Sequence, residues 1–416
     1  MGWVTGRRRI VAAVTAVGLA AVTAVIAYRV LAPAEVLTTA RADYPAPPTR
    51  EPGVVGRLPA APLIVDGRLR VYAAPRQVYA DQPVDGRHRR TPYLSYRRWP
   101  ATLDAVVAGG TTVVSRWSDG QLVALDARSG QITWRADGPE PDRRQEARRT
   151  GTATVWQPRG LTVARTADGR DVVLSSGAGQ VRAVDLADGG ELWRVEVADG
   201  CREPVGASTT GQLLTVDDCA GPPVVEFRDV ATGEVSARWR PPDAGDDLTA
   251  TLFGCAPEGA GCAALRTAGP GDATAQGWLL AAGEPVLAPA LDGAGAELVD
   301  GTAVVLTAGT LVGRAVPDGA ERWRVAVGPG RVIAVQAGRV HVLTEENVLV
   351  TVDAATGARL SEFVLDVGAD GTGWAPGAAY AAGGYVAVER LRRPVDPDGD
   401  DNRYYLTSEP VIIAAA

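Results

Sequence analysis

Apolar and polar positions alternate along most of the chain in short runs, and the runs stop at Gly, Asp, Asn or Pro. A period of two over four to six residues is the mark of a half-buried β-strand. Val340–Leu343 and Val348–Val352 flank Thr344-Glu345-Glu346-Asn347 and predict a hairpin. Val172–Leu174, Gln212–Val216, Ala303–Leu306 and Tyr385–Val388 predict further strand cores, as do Leu69–Tyr72 and Gln77–Tyr79. Long helices are disfavoured, because Met occurs once while Val, Thr and Gly crowd the sequence.

The N-terminus breaks this pattern. Arg7, Arg8 and Arg9 precede an uncharged run from Ile10 to Tyr28. As a helix that run is roughly 28 Å long, the thickness of a bilayer core. It predicts one transmembrane helix over 10–32, with a cytoplasmic tail, 1–9, and the rest of the chain extracytoplasmic. A cleaved secretory signal is the competing reading, and Leu31-Ala32-Pro33-Ala34 offers small residues for cleavage. The apolar core of such a signal is usually shorter. No Cys follows the run to carry a lipid, the first being Cys201. Residues 33–60 hold Pro33, Pro45, Pro47, Pro48 and Pro52 and predict an extended spacer before a domain over 61–416.

That domain repeats. Leu122-Val-Ala-Leu-Asp126-Ala-Arg-Ser-Gly130-Gln-Ile-Thr-Trp134 and Val181-Arg-Ala-Val-Asp185-Leu-Ala-Asp-Gly189-Gly-Glu-Leu-Trp193 share Ala-x-Asp-x-x-x-Gly-x-x-x-Trp without gaps. A third copy keeps Asp229 and Gly233 but has Trp239 two places late. A fourth keeps Gly319 and Trp323 with Ala315 in the Asp place, and a fifth keeps Asp353 and Gly357 with Ser361 in the Trp place. A degenerate copy near Trp278 completes a period of about 45 residues, the length of a four-stranded propeller blade. The motif has a physical reading. Asp bonds backbone groups two residues on, Gly supplies positive φ, and the next strand delivers a Trp that can wedge between sheets. Residues 101–416 hold seven such blades, with 61–100 supplying closing strands; if 61–100 is a blade of its own, there are eight.

Over roughly residues 101–368 this repeat resembles the tryptophan-docking repeat of the quinoprotein (PQQ) dehydrogenase propellers. It is equally similar to the propeller lipoprotein of the outer-membrane barrel-assembly machinery, BamB. The resemblance implies an all-β propeller of four-stranded antiparallel blades. It leaves function open, since the fold hosts both enzymes and scaffolds. An enzyme of this kind implies PQQ and calcium. The adjacent cysteines that lie against the cofactor in its alcohol-oxidising members are not matched here. Nor does any position align with their calcium ligands or catalytic Asp.

Composition and charge then narrow the function. Gly (49) and Pro (29) are abundant, as turns require, and Trp (10) outnumbers Phe (3). A net charge of −7 argues against a nucleic-acid partner. All 42 basic residues are Arg, so lysine chemistry is excluded. Local pairing of the cysteines, Cys201–Cys219 and Cys255–Cys262, needs no distant register. Zinc would need tighter pairs, and the His residues, His88 and His341, are far apart.

Three segments carry candidate chemistry. Asp396, Asp398 and Asp400 resemble a calcium loop, but Gly399 is at the fourth position where an EF-type loop needs Gly at the sixth, Thr407 stands at the twelfth where it needs Glu, and an acidic solvated turn is the alternative. Arg87, Arg89, Arg90, Tyr93, Tyr96, Arg97, Arg98 and Trp99 form a basic-aromatic cluster. It reads either as a partner patch for an anionic ligand or as a closure segment. Arg143, Arg144, Arg148 and Arg149 lie in a polar insertion before Thr150. The sequence therefore predicts a membrane-anchored propeller that binds an envelope protein, peptide or polymer without catalysis or cofactor. A PQQ- and calcium-dependent periplasmic dehydrogenase is the alternative.

Overall fold

The alternating runs become strands of eight antiparallel sheets in a computed structural model. It describes residues 14–25, 34–49, 51–81, 83–86, 92–142, 150–197, 201–242, 244–255, 261–269, 275–293, 295–365, 374–392 and 409–416. Seven sheets follow in chain order as blades 1 to 7, over residues 63–98, 103–136, 161–196, 202–239, 249–287, 296–326 and 330–364. In each, strands a to d run from the inside of the ring to its rim. Blade 8 takes strands a to c from Ala375–Ala382, Tyr385–Leu391 and Val411–Ala415, and strand d from Gly53–Leu58 near the other end of the chain. Gly53 pairs with Ala415 and Leu58 with Val411, so the ring is closed by hydrogen bonds between the two ends.

Two expectations change. The ring has eight blades and not seven, because residues 63–98 build four strands of their own. The Pro-rich stretch 33–60 is not a plain spacer. Glu35–Thr38 joins blade 1 as a fifth, outermost strand, and Gly53–Leu58 closes blade 8. Between them Tyr44 lies under the Arg68 guanidinium, 5.6 Å from its ring centre. Prolines at 45, 47, 48 and 52 sit outside both ladders, where a missing N–H costs nothing.

The core is divided among the gaps between blades. Ala105, Val114, Leu122, Ala124 and Trp134 of blade 2, for instance, pack on Leu161, Val163, Val173, Val184 and Leu186 of blade 3. Alternation makes this possible, because one face of each sheet meets the blade before it and the other the blade after. Leu58, Ile64, Tyr72, Tyr385 and Ile413 bury the same kind of seam between blades 8 and 1.

Residues 14–25 form a helix with Val14, Val17, Leu19, Val22 and Val25 exposed. Among the described residues no helix is long and apolar enough to cross a membrane. Residues 10–13 and 26–32 of the expected anchor lie outside the described residues.

Candidate functional site

The repeat residues fasten the blades to one another. Asp185 Oδ1 accepts the Ala187 N–H at 2.8 Å, and Asp126, Asp229 and Asp353 accept equivalent bonds in their own turns. Gly189 follows with φ 75°, and the Trp134 indole of the preceding blade lies on it. The Trp134 Nε1–H donates to the Leu186 carbonyl at 2.9 Å. Trp193 repeats this on Gly233 and Val230 O (2.7 Å), and Trp323 on Gly357 and Ala354 O (3.0 Å). The docked Trp therefore belongs to one blade and its turn to the next. Trp239 departs, as its late position foretells: it pairs with Val225 and meets Trp278 edge-on, ring centres 4.8 Å apart.

Strand alternation places the d-to-a and b-to-c connections on one face of the ring and the a-to-b and c-to-d turns on the other. The first face carries most of the long connections, namely 137–160, 240–248, 288–295, 365–374 and 392–410. The Cys201–Cys219 disulfide ties the start of blade 4 to its b-to-c connection there, Cα atoms 4.9 Å apart. Cys255–Cys262 closes an a-to-b turn on the opposite face, Cα atoms 3.8 Å apart. Both pairings are those the spacing predicts.

The insertion after blade 2 shapes this face. Its first part crosses blade 3, where Asp142 accepts the Ala178 N–H. Its second part, Thr150 to Gln157, lies along the inner edges of blades 8, 1 and 2. Thr150 is buried; its carbonyl accepts the Ala61 N–H at 2.8 Å and its hydroxyl donates to Glu389. Glu389, also buried, accepts the Ala378 N–H at 3.0 Å through its other oxygen. A single helical turn, Thr152–Val155, delivers Trp156. That indole stacks on Tyr380 of blade 8 at 5.7 Å and donates to Pro62 O at 2.8 Å. Strand a of blade 1 is only Leu63–Val65, and the insertion occupies the space beside it. Nearby, the buried Arg116 guanidinium bonds Asp104 at 2.8 Å and the carbonyls of Arg159 (2.6 Å), Gly160 and Ser176 (2.7 Å). Blade 2 is thereby stapled to blade 3. The sequence reading missed Thr150, Trp156, Arg116 and Glu389, since partners 94 and 239 residues away leave no local signal.

The basic-aromatic cluster splits. Tyr93 is buried and its hydroxyl donates to Arg128 O at 2.5 Å; Tyr96 is buried edge-on against Trp117. Burial, reinforced by the Glu35 charge, pushes the Tyr96 hydroxyl up to about 12. Arg98 bonds Asp119 at 2.8 Å and Glu35 at 3.3 Å. Burial alone would raise Glu35, but the Arg135, Tyr96 and Arg98 side chains hold its carboxyl below the usual range. Arg97 and Trp99 remain exposed. Arg87, Arg89 and Arg90 lie outside the described residues, as do Asp396, Asp398 and Asp400 and the Arg143–Arg149 segment. Among the described residues no group of three or more His, Cys, Asp or Glu is placed to hold a metal ion.

His341, at the seam of blades 7 and 8, is wholly buried. The Gly384 N–H donates to Gln336 Oε1 at 2.8 Å, which turns the Gln336 amide N–H toward His341 Nε2 at 2.7 Å. His341 Nδ1 then carries the proton and donates to Thr351 Oγ1 at 3.0 Å. Burial, with the Arg339 charge, pushes the imidazole down to about 3, so it is neutral in the folded protein.

The outer membrane protein assembly factor BamB family matches residues 48–245. No curated protein matches the chain in sequence. Three solved structures align with most of it. BamB from Moraxella catarrhalis is 14% identical, covering 91% of this chain and 99% of its own, with a TM-score of 0.43. The computationally designed Ika8 protein is 14% identical, covering 87% and 99%, with a TM-score of 0.46. The C-terminal WD40 domain of Sif2 is 10% identical, covering 90% and 99%, with a TM-score of 0.44. The blade count rests on the strand pairing of this chain itself. The chain is an eight-bladed β-propeller that is similar to the BamB family over residues 48–245.

Proposed function

We propose that the protein is a non-catalytic binding module that docks an envelope protein, peptide or polymer through the face bearing the long connections. The observation that carries this reading is the crowding of those connections onto one face while the opposite face keeps mostly tight turns. Rigid rings commonly present recognition on such loops. The buried ionisable groups of that face, Arg116 and Glu389, are engaged by internal partners, which suits a docking surface better than a reaction centre. Two disulfides fit an oxidising, extracytoplasmic compartment. The family description names an outer membrane assembly factor, which supports an envelope protein as the partner. Residues 10–32 then hold the ring at the membrane with residues 1–9 inside; the exposed valines of the helix over 14–25 support that arrangement.

A photo-crosslinking residue placed at exposed Gln157, on the long-connection face, is expected to capture a partner in cells. The same residue at exposed Asp188, on the opposite face, is expected to capture none. Equal capture at both positions sinks the face assignment. Turnover by the purified chain with PQQ, calcium and an electron-accepting dye sinks the non-catalytic reading. Release of the chain by alkaline carbonate argues against the anchor.

A further inference from the structure

Among the described residues the Trp dock is built five times in this ring, and one copy is open. In blades 3, 4 and 7 the indoles of Trp134, Trp193 and Trp323 stand where a Cβ on Gly189, Gly233 or Gly357 would be, 2.6–2.7 Å from it. In blade 2 the Gly130 dock is filled by Leu94 and by the main chain of Thr39 and Ala40, leaving the added strand Glu35–Thr38. Blade 6 has the same turn. Gly319 has φ 69°, its N–H donates to Ala315 O at 2.9 Å, and the Ala315 N–H donates to Ala320 O at 2.8 Å. Above Gly319, however, no described atom lies within 4 Å of the Cβ position. The cause is in blade 5. Its strand d is two residues long, Val286–Leu287, and offers no Trp. Both side chains are about half exposed, at 54% and 49%.

We propose that this open dock takes a Trp side chain from a partner protein, presented on an extended segment that adds to the Val286–Leu287 edge. The occupant is identified by the three filled docks. The ring lies on Gly319 and the indole N–H donates to the Val316 carbonyl, the counterpart of Leu186, Val230 and Ala354. The mode has an internal precedent, because Glu35–Thr38 adds to the rim of blade 1 and its continuation fills the next dock. Strand addition of this kind draws affinity from the backbone and specificity from one side-chain pocket. The Trp of each filled dock is followed by Arg (Arg135, Arg194, Arg324), and exposed Asp318 lies beside the open one, Glu321 being held by Arg324, so a Trp-Arg pair suits it. The site lies on the rim of blades 5 and 6 and does not depend on the long-connection face.

The probe is a fluorescent peptide copying residues 190–197, Gly-Glu-Leu-Trp-Arg-Val-Glu-Val, titrated against the full chain in detergent micelles and read by anisotropy. Binding is expected, and Trp193→Ala in the peptide is expected to weaken it at least about tenfold. Gly319→Asn in the protein fills the dock with a side chain that tolerates positive φ, and is expected to abolish binding. Gly301→Asn, at a second open glycine with φ 75°, is expected to leave binding unchanged. Both variants are checked for unaltered thermal unfolding. The proposal is overturned if the peptide does not bind, if its Ala form binds equally, or if Gly319→Asn binds as the unmodified chain does.

Discussion

At Gly233 the missing Cβ does two things at once. It permits φ 75°, and it leaves the floor on which the Trp193 indole rests. An Ala there meets both a backbone cost of about 1–2 kcal/mol and the ring itself. Trp193→Ala is expected to cost about 3–5 kcal/mol. Because the two residues share one contact, the double variant should be more stable than the sum of the single losses implies, by urea denaturation. Strict additivity would mean that the dock is not a unit. His341 gives a second prediction at this scale. The unfolded chain takes up its proton near pH 6.5, the folded chain only near 3. Between those values the unfolded state binds more protons, so stability falls as pH drops through that window. His341→Asn should be less stable at pH 7, having lost its bonds to Gln336 and Thr351, yet decline less steeply between pH 6.5 and 4. An unchanged slope would assign the proton elsewhere. Glu35 and Asp119, held below the usual carboxylate range, add an acid loss of their own only as pH falls below about 4.5.

Among the elements, the two disulfides differ in what they close. Replacing Cys201 and Cys219 by Ser frees a loop of 18 residues and should cost about 3 kcal/mol; the 7-residue loop of Cys255 and Cys262 should cost about 2. Equilibrium unfolding of the two double variants measures both, and a larger loss at Cys255 and Cys262 would overturn the order. Blades 2 and 3 could be read from the sequence because their turn and Trp follow one spacing. Blade 1 could not be counted with the same assurance, since the long connection between Asp81 and Leu94 replaces the motif. Blade 5 hides its outer strand in two residues, and blade 8 is split between the ends of the chain. The strands Glu35–Thr38 and Gly53–Leu58 were masked by the prolines around them. The insertion was legible as an insertion, but its seat was not: Trp156 finds Tyr380 and Pro62 only once the ring exists.

For the whole molecule, closure is the weak and necessary point. A chain ending at Pro410 lacks strand c of blade 8, so Gly53–Leu58 loses its partner and the buried Val411, Ile412 and Ile413 leave two core clusters. Such a chain is expected to lose cooperative unfolding and to be cut by protease near residues 53–58, while the intact chain resists. Survival of the cooperative transition would show that the seven consecutive blades suffice. The same splice sets an order in time. Strand Gly53–Leu58 is synthesised about 350 residues before its partner Val411–Ala415. At about 5–20 residues per second the early strand waits roughly 20–70 s for the late one. Until then the growing molecule is an open arc with an unpaired edge at each end, the kind of edge that recruits foreign strands. The interval between those two strands, more than any blade, is when this protein is exposed to misassembly and most in need of protection by other proteins.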